Sequence, residues 1–265
     1  MRGKPPEIAE EISRRPAGTG APEILTLGRD GWLVRFALTL EPWVTAAVQK
    51  LHAQAQEAAR SGALPGVTKV SPCLTSVLFS FDPASSERAT VRAAIARLVE
   101  AEDWHAATPE PAARLWQVPV AFGGEHGPDL DEVATLSGRA AAQVVEDIAQ
   151  TPLRVLAIGF APGQPYLGLL PAPYDLPRMS ALNPQVPQGA IALAVRQLVL
   201  FANASPTGWR QVARTAFRPF RPDSDTPIPL RAGDEMRLVP VSGSEMSVLL
   251  SAGDPAGGAR LEVRR

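Results

Sequence analysis

Two rhythms of apolar and polar positions run along this chain. In the first, residues 24–27 (ILTL) and 32–36 (WLVRF) read as strands joined by the turn GRDG. Pro42 suits a helix start, and Val44, Ala47, Val48, Leu51 and Ala55 fall on one helical face. Residues 67–70 and 76–81 read as two further strands. Ser85 or Ser86 is placed to cap a second helix with the face Val91, Ala94, Ile95, Leu98 and Val99. Strand pairs each followed by a helix predict a small α+β sandwich over residues 23–103. Residues 1–22 are polar and rich in Pro and Gly and read as a flexible tail; residues 104–114 hold two prolines and no periodicity and read as a linker.

The second rhythm fills residues 115–265. A strand at 116–121 and a helix after Ser137, with Val144, Val145 and Ile148 inward, precede short strands split by Gly and Pro. These strands fall at 154–158, 190–195, 197–202, 210–215, 235–241, 246–251 and 259–263, with a hairpin bend at Arg196-Gln197. Their spacing predicts a β-barrel or sandwich, so the fold class is α+β overall.

Composition narrows the function classes. A formal net charge of −1 and the absence of a basic block argue against nucleic acid. No apolar run is long enough to span a membrane, and no leader pattern follows the first residues. One cysteine, Cys73, fits a cytoplasmic protein and reads as a buried core thiol. Walker A, HExxH and EF-hand patterns are absent, and His52, His105 and His126 lie far apart, so no metal site is expected.

Chemistry concentrates in four loops. In FGGEHGPDLDEVA, residues 122–134, Gly123 and Gly124 bend the chain and hold Glu125 and His126 beside a helix whose first turn would include Pro128. These charges either face water or form the polar wall of a ligand site. GFAPGQPYLG, residues 159–168, stiffens the chain around Phe160, Pro162 and Tyr166, either as a barrel corner or as a site rim. Residues 174–193 carry Arg178, suited to clamping a carboxylate or simply solvated, and then Gln188-Gly189 ahead of a strand. In SPTGWRQVART, residues 205–215, Trp209 is a core anchor or a lid, and Arg214 is exposed or paired.

These four pieces, in this order behind the α+β unit, resemble the family that holds the B subunit of 5-oxoprolinase, the kinase inhibitor KipI and the first subunit of allophanate hydrolase. That family is itself similar to part of the carboxyltransferase region of urea carboxylase. The resemblance covers about residues 23–245. It implies a cyclophilin-like β-barrel after the α+β domain. It also implies a subunit that works with subunits A and C to cleave 5-oxo-L-proline to L-glutamate. ATP would be used by the complex, and this chain alone would bind no cofactor. In that reading Glu125, His126 and Arg178 are the candidate catalytic residues. Gly123, Gly124, Phe160, Pro162, Tyr166, Gln188, Gly189, Trp209 and Arg214 would line the substrate. The alternative is a KipI-like protein that docks on a histidine kinase, or a binding subunit without catalysis.

The chain departs from the family pattern at several positions. Gln164 stands where the family usually has Phe, Leu182-Asn183 where it has Pro-Arg, Thr207 where it has Gly, and Ala190 where it has Ser. Loss of an arginine removes one clamp for an anion, because a neutral amide does not replace a guanidinium.

Overall fold

A computed structural model describes residues 21–108 and 111–264. It divides into two compact units, one ending at Glu110 and the other beginning at Pro111. Apart from Ala21 and Pro22, the expected tail lies outside the described residues.

In the first unit β1 (Glu23–Leu27), β2 (Gly31–Arg35), β3 (Val67–Pro72) and β4 (Ser76–Phe81) form an antiparallel sheet in the order β1-β2-β4-β3. Helices α1 (Pro42–Arg60) and α2 (Arg88–Glu100) bury Val44, Leu51, Val91 and Ile95 in one core with Val34, Val77 and Phe79. Pro sits in the first turn of α1, where its missing N–H costs no helical bond. Neither Ser85 nor Ser86 caps α2. Both bond back to the carbonyl of Asp82, and Glu87 takes the cap position with no side-chain bond. Residues expected in a linker belong to this core: Trp104 is buried and donates its indole N–H to the carbonyl of Val99. Cys73 is exposed, contrary to the core reading, because the chain turns outward between β3 and β4.

The second unit is a β-barrel. Its strands are β5 (Arg114–Phe122), β6 (Leu153–Ile158), β7 (Pro165–Gly168), β9 (Ala190–Ala194), β10 (Gln197–Leu200), β12 (Arg210–Arg214) and β13 (Glu235–Pro240). They run β12-β9-β10-β7-β6-β13-β5, and a β12–β5 pairing closes the ring. Strand β14 (Arg260–Val263) continues beyond β5. A two-stranded ribbon, β8 (Asn183–Val186) with β11 (Ser205–Thr207), stands apart from the ring. Inward residues of every strand of the closed ring, among them Val118, Val155, Leu167, Ile191, Leu198 and Met236, form one core. Leu130 and Val133 of α3 (Leu130–Ser137) and Val144 and Ile148 of α4 (Ala141–Gln150) pack into that core.

Four local expectations change. Residues 246–251 are not a strand but lie in helix α5 (Gly243–Ala252), which starts with a capping box: Ser242 accepts from the N–H of Glu245, whose carboxylate accepts from the N–H of Ser242. The second half of the Gly/Pro decapeptide is strand β7, paired with both β6 and β10. Pro128 precedes the first helical turn, because α3 starts after Asp129. The tight hairpin bend falls at Val195-Arg196, both with positive φ, as a two-residue turn between antiparallel strands requires.

Candidate functional site

Strand β12 organises the outside of the barrel. Directly opposed residues of an antiparallel pair point to the same face. Gln211 opposes Ala192 and Arg214 opposes Ala190, while the register slips by one residue between Gln211 and Ala213. This bulge turns both Val212 and Ala213 into the core. Trp209, Gln211 and Arg214 therefore share the outer face. Trp209 is only 5% exposed and lies over a floor of Ala190, Ala192 and Ala194, walled by Val186, Val199 and Phe201. It is a core anchor, not a lid.

Three groups hang on this row. The first is aromatic and cationic. Tyr166 meets Trp209 edge-on with ring centroids 6.2 Å apart, and the guanidinium of Arg178 stands 5.5 Å from the Trp209 ring centre. The loop bearing Arg178 is pinned by the N–H of Met179, which donates to the carbonyl of Gly208 at 2.7 Å. The second group is Gln188, Gly189 and Arg214. Gln188 donates its amide to the carbonyl of Ala202 at 2.8 Å, and Arg214 Nε donates to the carbonyl of Gln188 at 3.4 Å. Gly189, at φ +80°, lets the Thr215 carbonyl come close, since a Cβ there would lie 2.1 Å from its oxygen.

The third group surrounds His126. Gly123 and Gly124, both at positive φ, fold residues 124–126 into a single tight helical turn. Gln211 donates its side-chain amide to the carbonyl of His126 at 2.9 Å. His126 Nε2 faces two acceptors, the carbonyl of Gly243 at 3.4 Å and Glu125 Oε1 at 3.5 Å. That arrangement calls for the proton on Nε2 and leaves Nδ1 as the lone-pair nitrogen. Nδ1 is buried and has no hydrogen-bond partner. The Glu125 side chain is exposed, so one residue of this turn meets solvent and its neighbour does not.

Two expected site residues do not join these groups. Phe160 is 79% exposed and shares no ring contact with Tyr166 or Trp209, and Pro162 is also exposed. Their loop is closed on itself by the N–H of Gly159 to the carbonyl of Gln164, and Gly163 abuts the carbonyl of Pro219. Among the departures, Gln164 is 1% exposed with its carbonyl oxygen unpartnered. Asn183 accepts from the N–H of Gln185, and Thr207 accepts from the N–H of Trp209, stiffening the turn before it. Gln211 escapes a reading of residue types and is found by strand alternation, two residues from Trp209, whereas the bulge decides the face of Arg214. Among the described residues no group of three His, Cys, Asp or Glu side chains is placed to hold a metal, and no helix is long and apolar enough to cross a membrane.

A closed barrel with an external polar row, following a small α+β unit, defines the class: a two-unit α+β barrel protein. Residues 22–230 match the family described as carboxyltransferase domain, subdomain C and D, and the chain belongs to that family. It is 30% identical over 234 residues to the 5-oxoprolinase B subunit of Bacillus subtilis, covering 83% of this chain and 93% of that protein. It is 40% identical over 131 residues to the 5-oxoprolinase B subunit of Escherichia coli O157:H7, covering 49% of this chain and 60% of that protein. Among solved structures, TTHA0988 superimposes with a TM-score of 0.64 at 26% identity, over 81% of this chain and 40% of that one. Kluyveromyces lactis urea carboxylase gives 0.69 at 17% identity, over 91% of this chain and 24% of that one, a likeness of fold alone.

Proposed function

We propose that this chain is the B subunit of a 5-oxoprolinase-type complex and that the outer face of β12 contributes to its substrate site. The observation that carries the reading is the similarity to the B. subtilis protein over nearly that protein's whole length. The lactam of 5-oxoproline resists hydrolysis because resonance stabilises its amide. Phosphorylation of the lactam oxygen by ATP, supplied through partner subunits, makes the ring carbon electrophilic. Water adds there and the C–N bond opens, with nitrogen leaving as the amine. Hydrolysis of the resulting acyl phosphate gives glutamate and phosphate. Arg178 and Arg214 supply cationic donors for the substrate carboxylate or the developing oxyanion. Glu125 and His126 handle a proton, with the carbonyl of Gly243 setting which imidazole nitrogen is free.

Co-expression with subunits A and C, followed by ATP-dependent glutamate release from 5-oxoproline, tests the assignment. Turnover is expected only when all three chains are present. A complex with full activity without this chain refutes the proposal. Intact turnover after Glu125→Ala together with Arg178→Ala refutes the residue roles while leaving the assembly reading in place.

A further inference from the structure

Strand β14 is the outer rung of the barrel sheet. It pairs with β5, and among the described residues no strand lies on its other side. All four of its residues are exposed, Leu261 at 44% and Val263 at 68%. The N–H of Arg264 donates to the carbonyl of Ala113, directly opposite it in the β5 register. Hydrogen-bonded and open pairs alternate in an antiparallel ladder. Arg260 and Glu262 thus direct their backbone groups to β5, whereas Leu261 and Val263 turn theirs outward. Such an edge accepts another strand unless its side chains forbid it. Here the charges alternate in sign, Arg260, Glu262, Arg264, so they forbid most registers and favour those that bring opposite charges together.

We propose that β14 pairs antiparallel with β14 of a second copy of this chain, about a two-fold axis at Leu261. In this register Leu261 faces Leu261 of the second copy, and the two exchange both backbone hydrogen bonds. Arg260 opposes Glu262 of the second copy, and the symmetry repeats that ion pair. Val263 opposes Ala259 of the second copy, with its outward N–H aimed at that residue's carbonyl. An axis at Val263 would instead set Glu262 against Arg264, but Arg264 is already drawn to Glu235 at 3.3 Å and Glu262 at 3.5 Å of its own chain. The self-complementary patch is of the kind that two-fold dimers require.

Sedimentation equilibrium of the full chain over a concentration series tests this. The wild type is expected to dimerise reversibly. Arg260→Glu places like charges opposite each other twice, as does Glu262→Arg, and each is expected to weaken the dimer by about tenfold or more. The double variant Arg260→Glu/Glu262→Arg restores opposition and should return to within about threefold of wild type. Unchanged melting curves verify that these exposed substitutions leave the fold intact. A wild type that stays monomeric at all concentrations overturns the proposal, even if it pairs with another polypeptide through β14. So does a dimer unmoved by Arg260→Glu, or a double variant as weak as the singles.

Discussion

Substituting Gly189 with alanine examines whether the turn before β9 is held by close backbone approach. At φ +80° a side chain enters the left-handed region, which costs about 1–2 kcal/mol for an ordinary residue. The new Cβ would also lie 2.1 Å from the carbonyl oxygen of Thr215, so that oxygen must retreat by more than an ångström. Retreat loosens two bonds of 2.9 Å, Gly189 N–H to the carbonyl of Phe201 and Thr215 N–H to the carbonyl of Gly189. At about 1 kcal/mol each, the total loss is about 3–4 kcal/mol, or about 10 °C in melting temperature for a unit of this size. Gly138 is the internal control, since it has φ +67° and a methyl placed on it would meet no atom within 4 Å. Gly138→Ala should therefore lose only the conformational part, about 1–2 kcal/mol. Differential scanning calorimetry of both variants separates the two contributions. Equal losses would refute the argument from contact with Thr215.

Three further outcomes follow from other contacts. Tyr174 is fully buried, and its hydroxyl donates to Asp147 at 2.6 Å; burial, then that bond, raise its pKa well above the usual tyrosine value. Tyr174→Phe should cost about 1–2 kcal/mol in chemical denaturation by stranding the carboxylate. Trp209→Ala should cost about 3–5 kcal/mol, measured in the same way, because it empties the space over the three alanines. The Ser242 hydroxyl, and then its N–H, lower the pKa of Glu245 below the ordinary 4.5. A lowered folded pKa stabilises the fold above the unfolded value, and that stability is lost as pH falls through the folded one. Glu245→Gln should flatten the acid side of a stability–pH profile, with no change in slope at neutral pH.

Much of this fold is readable from residue spacing. The faces of α1 and α2 follow a helical period, and their apolar members are the residues the first core buries. The strands that spacing misses are short and depend on neighbours far away in sequence. Pro165–Gly168 is four residues bounded by Pro and Gly, and it is a strand because β6 and β10 pair with it from both sides. Helix α5 is a different case. Its run MSVLL suggests a strand, but Ser242 and Glu245 at capping-box spacing are visible in the sequence and outweigh it. At the site, Trp209, Tyr166 and Arg178 are brought together as the loop motifs suggest, whereas Phe160 is not, because its loop closes on its own backbone. That Arg214 accompanies Trp209 on the outer face depends on the register slip, which residue types do not encode.

The surplus residue at Val212 makes chain length, as well as composition, a determinant of this surface. Deleting one amino acid from the bulge would restore plain two-residue parity and leave the Arg214 guanidinium on the same side, whereas flattening the bulge at unchanged length would swing it toward the barrel's oily interior. Relatives that space this Trp and Arg five positions apart share the face only with the bulge, whereas a spacing of four shares it only without one.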